Sequence, residues 1–164
     1  MVFQKSEILF KEDEEKMNQK KIDEMIPIAL KIIRDGSGMV KKMKESEYEV
    51  HKVYFGYIAS FGPSVVQSGI AKTLAFFSKD SGEAKEGDKK IILDLIKQVF
   101  ITAYSAYAMY NAKGLLEIYD LETQKTGFTT INKLALTDKI IEAAIASKLA
   151  MNTYHAKENL VNEE

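Results

Sequence analysis

The helical periodicity of residues 48–80 constrains the fold more than any other feature of the sequence. Apolar residues recur at spacings of three and four, which is typical of an amphipathic helix and not of a strand. This first stripe comprises Val50, Val53, Tyr54, Tyr57, Ile58 and Phe61. A corner is predicted at Gly62 and Pro63, since glycine permits a turn and proline suits the first turn of a new helix. The second helix is then predicted to bury Val66, Ile70, Leu74 and Phe77.

Small residues on this second helix form a separate pattern. They are Ser68, Gly69, Ala71 and Ala75, and they would allow another backbone to approach closely. A glycine inside a helix costs about 1 kcal/mol relative to alanine. Gly69 therefore needs a reason, and close packing or a nearby ligand would each supply one.

The rest of the chain is also predicted to be helical. Helices are expected at 17–34, with Pro27 kinking or dividing the first, at 89–111 and at 115–121. A last helix is expected with Thr137 as its N-cap. It should direct inward Ile141, Ala144, Ile145, Leu149 and Tyr154. Residues 78–88 are predicted to form an exposed polar loop without a hydrophobic anchor.

The predicted fold class is all-α, a single compact bundle of about five to seven helices with no sheet. We expect residues 1–16 to form a loosely attached N-terminal segment and 17–157 to form the helical domain. Residues 158–164 are expected to be a frayed tail.

Composition and motifs exclude several classes of chemistry. The chain has no cysteine, and its two histidines, His51 and His155, lack partners at metal-ligand spacing, so no metal site is predicted. Alanine stands before Lys72 where a phosphate-binding loop requires glycine. Carboxylates lie mainly in exposed runs, and none is expected to have a strongly perturbed pKa. No transmembrane segment is predicted. We therefore expect no enzymatic activity and no cofactor.

The charge distribution is uneven although the net charge is only −1. Residues 31–52 carry six basic against four acidic residues, whereas both ends of the chain are mildly acidic. Such a basic stretch is either a surface that contacts an RNA backbone or an ordinary solvated face.

One motif resembles a known family. It comprises Tyr57, Ile58, Pro63, Val66, Gln67, Ser68, Gly69, Ile70, Lys72, Thr73, Leu74, Ala75 and Phe76. An aromatic-rich helix running into a proline, followed by a small-polar–Gly segment and Leu-Ala-Phe, is similar to the signature of the small all-helical subunit of type III-B (Cmr) CRISPR effector complexes. The close match covers about a fifth of the chain and contains no catalytic group.

The resemblance implies an architectural role in a cytoplasmic, RNA-guided antiviral complex. Such a subunit stacks with copies of itself beside the backbone and large subunits, and lines the channel where target RNA pairs with guide RNA. Candidate RNA-backbone contacts are Lys31, Lys41, Lys42, Lys72, Thr73 and Lys148. Candidate motif and packing positions are Pro63, Gln67, Ser68, Gly69 and Phe76. The chain lacks the tryptophan and the second basic residue expected beside Lys148.

Two other interpretations remain open from the sequence. The near-zero net charge and acidic termini favour a helical adaptor of another assembly without RNA contact. The other alternative is a small helical enzyme whose site carries no recognised motif.

Overall fold

Helices dominate the computed structural model, which describes residues 3–36, 43–79 and 87–157, with side chains from residue 18 onward. The α-helices are α1 (Phe3–Asp35), α2 (Lys52–Ser68), α3 (Ile70–Ser78), α4 (Lys89–Ala103), α5 (Leu115–Thr123) and α6 (Thr130–Met151). A 3-10 helix, Ser105–Tyr110, lies between α4 and α5. The prediction of a mainly helical protein is confirmed.

The prediction that no sheet is present is wrong. Three short strands, β1 (Lys44–Ser46), β2 (Glu49–His51) and β3 (His155–Lys157), form a sheet in that order. β1 pairs antiparallel with β2, and β2 pairs parallel with β3, with Val50 opposite Ala156. Strands of this length carry too few residues to show an alternating pattern, so their pairing was not visible in the sequence. The sheet connects the chain beyond α6 to the segment that precedes α2.

α4 lies at the centre of the core, because apolar residues cover nearly all of its sides. Its side chains Ile92, Leu95, Ile96, Val99 and Phe100 have no solvent-exposed surface. α4 packs against α1, α3 and α6. The predicted extent to residue 111 is wrong, because α4 ends at Ala103 and Tyr104 leaves the helical conformation at φ −114°, ψ 86°.

The corner in the motif lies at Gly69, and the prediction that placed it at Gly62 and Pro63 is wrong. α2 continues through Pro63, an exposed residue. Proline removes the bond to the carbonyl of Ala59, but that residue is also exposed, so water can satisfy the carbonyl. Gly69 interrupts the helices with φ 84° and ψ 162°, a region open essentially to glycine alone.

The position of this corner changes which side chains are buried. Ile70, Leu74 and Phe77 are buried as predicted, but Val66 is 86% exposed and Val65 lies in the core instead. Among the residues that the structure describes, and apart from the chain neighbours and nearby helix backbone, no atom lies within 4 Å of a Cβ built on Gly69. The conformation of Gly69 therefore explains the glycine, and the close approach predicted for the small residues is absent at this position.

α1 and α6 also differ from their predicted forms. α1 continues through Pro27, an exposed residue, and is not divided there. α6 begins seven residues before Thr137, and its N-cap is Thr129, whose hydroxyl accepts a bond from the N–H of Asn132 at 3.2 Å. Because α6 packs by another face, Ile145 and Leu149 are 40% and 41% exposed, contrary to the prediction.

The segment before α4 is anchored at its end, contrary to the expectation of an unattached loop. Gly87 has φ 51°, and a Cβ there would lie 2.8 Å from Val53 Cγ1 and 2.9 Å from Tyr54 Cζ. Residues 80–86 and the predicted tail, 158–164, lie outside the described residues. The loose attachment of residues 1–16 stays a prediction.

Candidate nucleic-acid interface

The exposed surface at the α2–α3 junction contains most of the motif's polar residues. We call this surface the Gly69 corner and define it as Gln67, Ser68, Gly69 and Lys72, all of which are exposed. The N-terminal turn of α3 begins here, and its free N–H groups carry partial positive charge. The C-terminus of α2 also lies here, so the partial charges of the two helix ends oppose each other, and the Lys72 ammonium supplies the net positive charge of the corner.

Two other motif residues have structural contacts. Thr73 is 1% exposed, and its hydroxyl donates a 2.9 Å hydrogen bond to the carbonyl of Gly69. Thr73 therefore supports the helix junction and does not present its hydroxyl at the surface. Phe76 is 52% exposed, and the Lys89 ammonium lies 4.2 Å from the centre of its ring, a cation–π contact.

Lys31 and Lys148 lie on two helices, α1 and α6, that run in the same direction. Near one end, Lys21 of α1 donates to the carbonyl of Ala103 at 3.2 Å, and its ammonium lies 4.6 Å from the ring centre of Tyr104. That tyrosine also donates a 2.5 Å bond to Glu142 of α6. Tyr104 thus connects the two helices at the level of Lys21.

At the other end of this helix pair, the end of α1 lies near the residues that follow α6. Burial raises the pKa of the Tyr154 hydroxyl, and the nearby Arg34 opposes that rise. Lys31 and Lys148 both lie in the last two turns of their helices, and both are exposed.

Lys72 belongs to a different part of the bundle. It lies on α3, which packs mainly against α2, α4 and α5, whereas Lys31 and Lys148 lie on the α1–α6 pair. Lys41 and Lys42 lie outside the described residues. The structure therefore places Lys31 and Lys148 on one pair of packed helices, and Lys72 on α3 beside the Gly69 corner.

A cavity beside the N-terminal half of α6 contains basic and aromatic side chains that sequence reasoning missed. We call it the α6 cavity; its volume is 290 Å³. Its lining consists of Tyr107, Glu122, Lys125, Thr126, Gly127, Phe128, Asn132, Ala135, Leu136 and Lys139.

A tight turn forms one wall of the α6 cavity. The N–H of Phe128 donates to the carbonyl of Lys125 at 3.1 Å, and Gly127 has φ 80°. A hydrogen bond from the N–H of residue i+3 to the carbonyl of residue i, with positive φ at residue i+2, is the pattern of a type II turn. The turn places Lys125 and Phe128 on the same cavity as Lys139 of α6.

The two lysines of the α6 cavity differ in their contacts. Lys125 forms a 2.6 Å ion pair with Glu122, which also accepts a 2.6 Å bond from the Tyr110 hydroxyl. Burial tends to raise the pKa of Glu122, but these two hydrogen bonds outweigh burial, so the pKa is lowered and the group stays ionised.

Lys139 is held by aromatic rings. Its ammonium lies 5.3 Å and 5.6 Å from the ring centres of Tyr104 and Tyr107. Within residues 18–36, 43–79 and 87–156, no carboxylate lies at ion-pair distance from it. Lys139 and Tyr107 are far apart in the sequence, so only the packing of α6 against the 3-10 helix reveals their proximity.

A second cavity, of 400 Å³, contains a perturbed carboxyl group. Burial raises the pKa of Asp94 to about 6, although Lys97 acts in the opposite direction. Leu93 and Leu115 lie beside it in the lining, together with Glu117. The expectation that no carboxylate has a strongly perturbed pKa is therefore wrong.

Comparison with protein families identifies the chain. The family model described as CRISPR-associated protein (Cas_Cmr5) matches residues 31–153. The chain belongs to this family. It is the family of the small subunit of the type III-B Cmr complex, as the motif resemblance predicted.

The family match covers most of the fold. It begins near the end of α1 and includes α2 to α6, the Gly69 corner and the α6 cavity. Neither the curated proteins nor the solved structures contain a match to this Cmr5-family chain. In the described part of the chain, no helix is both long and apolar enough to cross a membrane.

Proposed function

We propose that this chain is a non-catalytic structural subunit of a type III-B RNA-targeting complex in antiviral defence. It stacks with copies of itself and contacts the backbone and large subunits, and it lines the channel in which guide and target RNA pair. The family match over residues 31–153 is the single observation that carries the proposal. A complex of this kind acts in the cytoplasm, and this subunit needs no cofactor.

The helical bundle supports a structural role. Its core is continuous from α1 to α6, and the buried acids Glu122 and Glu142 are bonded to tyrosine hydroxyls. Such contacts fix both carboxylates and both tyrosine hydroxyls in place, which suits a rigid framework.

RNA contact is proposed at two exposed basic places. Lys72 with the Gly69 corner forms one, and Lys31 with Lys148 forms the other. Each presents ammonium groups to phosphates and reads no base, since base pairing with the guide supplies sequence specificity in RNA-guided complexes.

Charge reversal in the assembled complex tests these contacts. We expect Lys72→Glu and Lys148→Glu each to weaken target-RNA binding and to reduce the salt dependence of the affinity. The logarithmic slope should fall by about 0.7 for each phosphate that is no longer neutralised. Lys133→Glu is the matched control, because Lys133 is an exposed lysine of α6 outside both places.

The measurement is fluorescence anisotropy of labelled target RNA with complexes purified through another subunit. Equal affinity and equal salt slopes for wild type, the two variants and the control would contradict RNA contact at these lysines. Loss of the subunit from the purified complex would instead identify the lysine as a protein contact.

A helical adaptor without RNA contact is the second candidate. Four large apolar side chains on α6 are at least 40% exposed, namely Ile131, Leu134, Ile145 and Leu149. Exposed apolar residues on one helix favour a protein partner. The adaptor is favoured if the complex binds target RNA equally well without this subunit.

A further inference from the structure

The α6 cavity combines a cation, aromatic surfaces and an amide at one site. Lys139 and Tyr107 are half-buried, as is Phe128, and Asn132 is exposed at the opening. The cavity volume of 290 Å³ lies at the lower end of the range for small-ligand pockets, so it suits one small group.

The charge of Lys139 gives the cavity its sign. The ionisable groups in the lining, apart from the Tyr107 phenol, are Lys125, Lys139 and Glu122. Glu122 is committed to Lys125 and to the Tyr110 hydroxyl. Glu122 also interacts electrostatically with Lys139 over a longer distance. Two lysines and one glutamate leave the lining with one excess positive charge.

The aromatic walls provide the second element of recognition. Tyr107 packs one side of its ring against Phe100, with ring centres 4.7 Å apart. Phe128 is fixed by the Lys125–Phe128 turn. A base can stack on the Phe128 ring in any sequence context, and an amide such as that of Asn132 can donate to or accept from a base edge.

We propose that the α6 cavity binds one unpaired nucleotide of an RNA strand, with the phosphate at Lys139 and the base against Phe128. This site is separate from the exposed lysines Lys31, Lys72 and Lys148. The proposal rests on the proposed function, because it assigns an RNA-contacting residue set within the same subunit. The cavity is predicted to contact an unpaired nucleotide, whereas the exposed lysines are predicted to contact the phosphates of single-stranded and double-stranded RNA alike.

The first test is NMR titration of the purified chain with uridine and adenosine 5′-monophosphates, the corresponding nucleosides and inorganic phosphate. We expect saturable amide shifts at Gly127, Phe128 and Asn132, with the monophosphates binding more tightly than either half alone. A short single-stranded RNA should displace the monophosphate. Absence of saturation, or a monophosphate that RNA does not displace, overturns the proposal; the latter indicates a site for free nucleotides.

Variants separate the site from general electrostatics. Lys139→Gln should weaken RNA binding about tenfold and Lys139→Arg should retain it, whereas Lys133→Gln changes the same net charge outside the cavity and should have little effect. Phe128→Leu should weaken binding about tenfold through reduced stacking. If circular dichroism shows that Lys139→Gln does not fold, Phe128→Leu tests the site in its place.

Equal effects of Lys139→Gln and Lys133→Gln, with no effect of Phe128→Leu, would refute this site. The outcome is distinguishable from failure of the proposed function. If the cavity variants bind RNA normally but the subunit still contributes to target binding in the complex, only this inference is refuted. If the chain binds nucleotides in the cavity but contributes nothing to a CRISPR complex, only the proposed function is refuted.

Discussion

Substituting Gly69 with alanine tests the backbone corner on which the motif depends. At φ 84° and ψ 162°, Gly69 lies in a region that costs about 1–3 kcal/mol for residues with a Cβ. Apart from the chain neighbours and nearby helix backbone, no atom of the described residues lies within 4 Å of the added Cβ, so their tertiary packing contributes no clash. Alanine lowers the entropy of the unfolded chain and returns about 0.4–1 kcal/mol. The net expectation is a loss of about 1–2 kcal/mol in the free energy of unfolding.

The folded chain cannot avoid this strain by joining α2 and α3 into one helix. A continuous helix would redirect Ile70, Leu74 and Phe77, which are buried in the core. Exposing each of these side chains costs about 1.5–3 kcal/mol. The summed cost of exposing these side chains exceeds the backbone strain at residue 69. Gly69→Ala should therefore keep the corner and be destabilised by the strain.

Gly56→Ala is the matched control. Gly56 lies inside α2 without positive φ and is not followed by proline, and apart from its chain neighbours and nearby helix backbone no described atom lies within 4 Å of its added Cβ. Alanine is favoured in a helix interior, so this variant should gain about 0.5–1 kcal/mol. Urea unfolding followed by circular dichroism measures both changes. Equal stabilisation of the two variants would refute the corner at Gly69.

Further predictions concern caps, packing and titration. Thr129→Ala should destabilise the protein by about 1 kcal/mol through loss of the α6 N-cap. Thr137→Ala should be nearly neutral, because the Thr137 hydroxyl donates to the Lys133 carbonyl within the helix. If urea unfolding gave the reverse order, the start of α6 at Thr130 would be contradicted. Gly87→Ala should lower the melting temperature by several degrees, since its Cβ meets Tyr54 at 2.9 Å; an unchanged melting temperature would contradict this packing. Because the folded-state pKa of Asp94 is raised, the folded state binds the extra proton and stability falls as pH rises from about 4 to about 6. Its full shift corresponds to about 3 kcal/mol, reduced to about 1 kcal/mol by partial exposure. Asp94→Asn should therefore be more stable than wild type near neutral pH, with a difference that shrinks on acidification; a constant difference would exclude this titration as the cause.

Much of the fold was predictable because helical periodicity reports burial directly. The stripe from Tyr54 to Phe61 and the all-round apolar surface of α4 both correspond to core contacts. The positions of helix ends were less predictable. Pro63 is tolerated because it faces solvent, and Gly69 ends a helix through a backbone angle that the sequence does not display.

The candidate site was predictable only where it is continuous in the sequence. The motif led to Gln67, Ser68 and Lys72, which are exposed together at the Gly69 corner. The α6 cavity depends on Tyr107 and Lys139 meeting across two elements. No local pattern encodes that proximity.

Affinity purification of the tagged chain from its native cells, with and without RNase, tests membership of an RNA-guided complex most directly. The proposed function predicts recovery of several other CRISPR subunits together with short RNAs that share a uniform 5′ sequence. Subunits held by protein contacts should remain after RNase treatment. Recovery of the chain alone, or with unrelated proteins and no RNA, would contradict it.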